Sequence, residues 1–120
     1  MLPRTLLIRV QPSDAGLRPF IFSVVPAGQN LVGTVTLYED TWQTHIIVRH
    51  PEVSGSLVEI EQIVTAPTVI NTSSSAAGSF LFVKAGIVDS SGRFLRVVVR
   101  AGSVRSAYFS SAAGGSQLWP

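Results

Sequence analysis

Two side chains in this sequence can exchange protons near neutral pH, His45 and His50. Both fall in one short segment, Trp42-Gln-Thr-His-Ile-Ile-Val-Arg-His-Pro-Glu-Val53. At about 100° per helical residue, His45, Arg49 and His50 all lie within about 80° of a seam defined by Trp42 and Ile46. If that seam packs on a sheet, the imidazoles flank it, where a general acid or base would be positioned. The structural alternative is a core histidine bonded to a backbone carbonyl at 45 and a helix-end residue at 50, favoured by the negative end of the dipole. The spacing does not set both rings on one edge and no third ligand is signalled, so no metal or other cofactor is expected.

The cations available to such a site are chosen unevenly. Eight arginines accompany a single lysine, Lys84, for a formal net charge of +2. Arginine keeps its charge when partly buried and grips phosphate with a planar fork. There is no cysteine, which removes disulfides, thiolate nucleophiles and sulfur-ligated metal sites. The run from Gly28 to Thr34 lacks the lysine of a phosphate loop, and Ser106 lacks the glycine turn of a nucleophile elbow.

The elements that must hold these residues follow from apolar spacing. Residues 6–10, 20–25 and 32–38 read as strands bounded by Pro and Gly. Asp40 and Gln43 have the spacing of a capping box, predicting a helix that stops by His50 because Pro51 follows. A second box, Ser56 with Glu59, opens a helix with Leu57, Ile60, Ile63 and Val64 on one side, ended by Pro67. From Thr68 the period returns to two, with strands expected over 68–71, 79–84, 93–100 and 104–109. Turns at Asp89–Gly92 and Ala101–Ser103 make this half an antiparallel meander. Strict alternation puts Arg96 and Arg100 on one face of the third of these strands, and Ser106 and Tyr108 on one face of the fourth, opposite Arg105.

The expected architecture is therefore α+β: two short helices on a roughly four-stranded antiparallel sheet, with additional N-terminal strands. One domain is expected from 120 residues: a β extension over 1–31, a core over 32–109 and a flexible tail over 110–120, with Leu118 and Trp119 able to dock back. The N-terminus has no signal-like apolar stretch and no run reaches 18 apolar residues, so a soluble, cytoplasmic protein is expected, without membrane association. Only 13% of residues are charged and mean hydropathy is +0.38, which leaves room for an apolar patch that meets a partner or a second copy.

The Trp42–Val53 segment resembles the helix signature of phage- and mobile-element-associated nuclease-like domains of the barnase, EndoU, colicin E5/D and RelE fold group. A second helix ending at Pro67, a strand with Lys84, a long strand at Leu95–Val99 and a last strand with Ser106-Ala-Tyr108 recur in the same order. Residues 1–31 fall outside the likeness, and Ser106 stands where threonine is common. The resemblance implies metal-independent RNA cleavage by a toxin or mobile-element effector, with RNA as substrate and an antitoxin or immunity protein as partner. His45, His50, Arg96 and Ser106 would be catalytic, and Arg49, Lys84, Arg100 and Tyr108 would bind substrate. The alternative of a different class is a non-catalytic module that uses the same arginines to bind protein or nucleic acid.

Overall fold

The computed structural model describes residues 11–13, 17–27, 32–73, 78–112 and 116–120. The strand expected over residues 6–10 lies outside them, as do residues 74–77 and, within the tail expected to be flexible, residues 113–115.

Among the described residues, eight strands form one curled, mixed sheet. They are β1 (Gln11–Ser13), β2 (Leu17–Val24), β3 (Val35–Tyr38), β4 (Val69–Thr72), β5 (Ser79–Val83), β6 (Phe94–Arg100), β7 (Ser103–Ser110) and β8 (Gln117–Trp119). Their spatial order is β1-β2-β3-β7-β6-β5-β4-β8. Every neighbouring pair is antiparallel except β3 and β7, which run parallel and meet at Thr36 and Ser103.

This overturns the expectation of two short helices on a roughly four-stranded antiparallel sheet. The N-terminal strands are not an addition to a smaller fold: β3 completes the open edge of β7 and carries β2 and β1 with it. The junction is made at the β6–β7 turn, where Ala101 and Gly102 both have positive φ (51° and 75°), as the two central residues of a type I′ hairpin require. The Gly102 carbonyl accepts from Thr36 N at 2.8 Å. A Cβ on Gly102 would stand 3.0 Å from the Thr34 carbonyl, so only glycine lets the two backbones come this close.

Helix α1 is continuous from β3. It consists of Glu39–Thr41, a widened π-helical stretch Trp42–Ile46 and Ile47–Arg49. The expected capping box is not formed: Tyr38 is the N-cap residue, without a side-chain bond, and Asp40 lies in the first turn, where its charge suits the helix dipole. The helix stops at Arg49, His50 leaving helical geometry before Pro51, as the residue preceding proline is pushed to do. One 3₁₀ turn, Pro51–Val53, leads to helix α2, Leu57–Thr65. Ser56 is its N-cap, again without a side-chain bond, and its buried residues are Leu57, Ile60, Ile63 and Val64, as their spacing predicts.

The core joins these four residues to Trp42 and Ile46 of α1, Val53, and the sheet residues Val35, Leu37, Phe82, Leu95, Val97, Val99, Val104 and Ala107. Fully buried Ile60 or Ile63 cut back to alanine would cost about 2–5 kcal/mol. Strand β5 is buried on both faces, since Leu81 and Val83 are as inaccessible as Phe82 between them. No helix among the described residues is long and apolar enough to cross a membrane.

Candidate functional site

Strand β6 sorts its side chains by alternation: Leu95, Val97 and Val99 enter the core, so Arg96, Val98 and Arg100 occupy the other face. On β7 the ladder sets Tyr108 opposite Arg96 and Ser106 opposite Val98, then shifts so that Val104 faces Val99. Arg105 is the extra residue of this bulge. Bulges bend a strand and re-aim side chains, and here Arg105 lines a cleft on the same side as Arg100.

Two groups of polar residues meet α1 along this face. The first centres on Tyr108. The His50 ring lies 5.3 Å from the Tyr108 ring centroid, tilted by 32°. The Arg96 guanidinium is 5.4 Å from the same centroid. Arg96 Nη1 donates to Ser110 Oγ at 2.9 Å, while its buried Nε has no partner among the described residues. Glu52 Oε2 stands 3.6 Å from His50 Nδ1, close enough to favour one orientation of the ring.

The second group is an open cleft of about 500 Å³ lined by Asp40, Thr41, Thr44 and His45 from α1 and by Ser79, Val98, Arg100 and Arg105 from the sheet. Asp40 does not neutralise those arginines. Its carboxylate accepts from Arg18 Nη2 at 2.6 Å and Nε at 3.2 Å, and this bonding to the Arg18 guanidinium holds its carboxyl below the usual range. Arg18 is fixed in turn by donating to Thr41 Oγ1 at 3.0 Å and by lying 4.0 Å over the Tyr38 ring. Thr44 Oγ1 donates to the Asp40 carbonyl at 2.6 Å. The guanidinium groups of Arg100 and Arg105 make no hydrogen bond or ion pair among the described residues. The cleft thus has an excess of cationic donors, an arrangement that receives an oxyanion.

The sequence-derived site is split between these groups. His45 is placed with Arg100, and His50 with Arg96 and Tyr108. Ser106 is half-buried on β7 at the level of Val98, between them. Arg49 is exposed and lines neither. Lys84 belongs elsewhere: its Nζ donates to the Ala66 carbonyl at 2.7 Å, just past the end of α2. It lines a different, larger cleft of about 570 Å³ with Val58, Gln62, Thr65 and Ile87. That cleft holds no imidazole, and its cation already serves a helix end. Sequence reasoning missed Arg105, because alternation without a bulge puts it beside Ala107, and it missed the Arg18–Asp40 pair. Among the described residues no three His, Asp or Glu side chains are gathered as metal ligands. Comparison with protein-family models, curated proteins and solved structures finds no match to this chain.

Proposed function

We propose that the protein binds RNA by its phosphate backbone along the β6–β7 face and cleaves it without a metal ion. The observation that carries this reading is the convergence of His45 with Arg100 and Arg105 in one cleft whose carboxylate, Asp40, is paired with Arg18. The likeness of the Trp42–Val53 segment to nuclease-like domains adds support, since both histidines of that segment border this face.

The chemistry asks for a base, an acid and a cation. His45 takes the proton of a ribose 2′-OH, the freed oxygen attacks the adjacent phosphorus, and the bond to the 5′ oxygen breaks as that oxygen gains a proton. Arg100 and Arg105 stabilise the charge that builds on the phosphorane-like transition state. His50, with Glu52 at its Nδ1, is the second proton-transfer group in this reading, and Arg96 and Tyr108 hold the neighbouring part of the strand. A neutralising protein partner would act by covering this strip.

A second reading has its own observation: the cleft contains a single imidazole, while the His50 ring is engaged by Tyr108. That arrangement suits a module that binds RNA phosphates and leaves them intact. Incubating the purified protein with total RNA in EDTA separates the two. The enzyme should yield 2′,3′-cyclic phosphate ends, and His45→Ala, verified as folded by circular dichroism, should lose about 10²–10⁴-fold in rate. Intact RNA that is retained on a filter, with retention lost in Arg100→Ala/Arg105→Ala, establishes the binding module instead. Equal cleavage by parent and His45→Ala removes the catalytic assignment.

A further inference from the structure

We infer that the His45–Arg100–Arg105 cleft recognises a terminal phosphate, the phosphomonoester at the end of a single RNA strand, in preference to an internal phosphodiester. This rests on the reading of the face as an RNA-backbone site in its second, non-cleaving form: a monoester seated among these three residues takes the place that the cleaving form gives to the scissile phosphodiester.

The argument is a matching of donors and charge. Arg105 comes into the cleft as the additional residue of the β7 bulge, where the ladder passes from Val98↔Ser106 to Val99↔Val104. Arg100 ends β6 on the other side of the two-residue turn, opposite Ser79 of β5. Two planar guanidinium forks, neither engaged by another described residue, are therefore held on the two arms of one tight hairpin. The neighbouring polar groups from α1 are already occupied: Thr44 donates to the Asp40 carbonyl, Thr41 accepts from Arg18, and the Asp40 carboxylate is bonded to Arg18. Besides these groups and Ser79, what faces the cleft is the two exposed guanidinium groups, whose charge is permanent, and the imidazole.

An internal phosphodiester brings one negative charge and two non-bridging oxygens, enough for one fork. A phosphomonoester brings about −1.5 to −2 charges at pH 7 and three strong acceptor oxygens, which can satisfy both forks and still leave an acceptor for His45. With its end seated at the hairpin, the strand continues past Val98 and Ser106 toward Arg96 and Tyr108, one pair of residues at a time along the same face of the ladder.

The test uses short single-stranded oligonucleotides with 2′-O-methyl riboses, which cannot be cut by 2′-OH attack, so that binding is measured apart from cleavage. One sequence is prepared with a 5′-phosphate, with a 3′-phosphate, or with hydroxyls at both ends, and inorganic phosphate is titrated alongside, all in EDTA. One phosphorylated end should bind at least tenfold more tightly than the hydroxyl strand, and the arm that does so identifies which terminus is read. Arg105→Ala should abolish that preference while changing affinity for the hydroxyl strand far less. Arg105→Lys, which keeps the charge and loses the fork, should restore it only in part. Equal binding of all three strands overturns the inference and leaves RNA-backbone binding standing. Failure to bind any strand, together with Arg105-dependent uptake of inorganic phosphate, overturns the RNA reading while supporting the anion site.

Discussion

Asp40 is an acid among cations, and its pairing decides how the cleft is charged. Arg18 and Asp40 are both about half exposed (52% and 53%), so as a contribution to folding their ion pair is worth only about 0.2–1 kcal/mol. Because the Asp40 carboxyl is held below its ordinary value, that contribution is present above the titration range of an unfolded carboxyl and is lost as pH falls through the lowered value. The larger consequence concerns binding. In Arg18→Ala the carboxylate is released beside Arg100 and Arg105, where it competes with any anion. Phosphate affinity should fall several-fold at neutral pH, and the double variant Arg18→Ala/Asp40→Asn should recover it, a cycle readable by titration calorimetry. Unchanged affinity in the single variant would show that Asp40 does not reach the arginines. At this scale the sequence was partly legible. The face carrying Arg96, Arg100 and Tyr108 follows from periodicity, but Arg105 does not. A one-residue bulge leaves no mark in apolar spacing, and Lys84 looked like a phosphate ligand because nothing local announces that its ammonium reaches the Ala66 carbonyl.

At the scale of elements, the parallel junction of β3 with β7 depends on Gly102. Replacing it with alanine imposes two penalties at once, a left-handed φ of 75° and a Cβ 3.0 Å from the Thr34 carbonyl. Gly92, in the turn before β6, offers an internal control, having a similar φ of 79° with nothing within 4 Å of its Cβ. Gly92→Ala should therefore cost about 1–2 kcal/mol in urea unfolding, the penalty of the backbone conformation alone, and Gly102→Ala measurably more. Equal losses would mean that the β3–β7 contact yields without cost. Helix α2, β6 and β7 were readable because each is coded by its own period and punctuated by its own Pro, Gly or Asp, and β5 because it is a short apolar run. The antiparallel meander β4-β5-β6-β7 was readable as well, but the joining of β3 to β7 and of β8 to β4 was not. Hairpins announce themselves through turn residues a few positions long, whereas pairing of β3 with β7 joins segments more than sixty residues apart and is carried by backbone groups that every residue type possesses. The π-helical stretch of α1 is a comparable case, since a wheel drawn at 3.6 residues per turn misplaces the residues within a widened turn.

For the molecule as a whole, the low charge and high hydropathy have a structural use that needs no partner. A single curled sheet that buries β5 on both faces consumes apolar residues from alternate and consecutive positions alike, Leu81, Phe82 and Val83 in a row. The remaining hazard is the sheet edge. Strand β4 would present Val69–Thr72 to solvent, and open edges pair with other chains. The C-terminal strand covers it: Trp119 pairs with Ile70 and packs on the core, and Ser116 exchanges bonds with Thr72, the Thr72 N–H donating to the Ser116 carbonyl at 2.8 Å and the Ser116 N–H to Thr72 Oγ1 at 2.9 Å. The tail is thus a working part of the sheet. Trp119→Ala should lower stability by about 1–3 kcal/mol, less than for a fully buried tryptophan because the ring is only partly covered. Deleting residues 116–120 should do more than destabilise, because it bares the β4 edge: sedimentation should show concentration-dependent self-association that the point variant, with its backbone pairing intact, does not. A truncated protein that stays monomeric and equally stable would mean that β4 is protected by its own twist and short length, and that β8 adds nothing to the solubility of the fold.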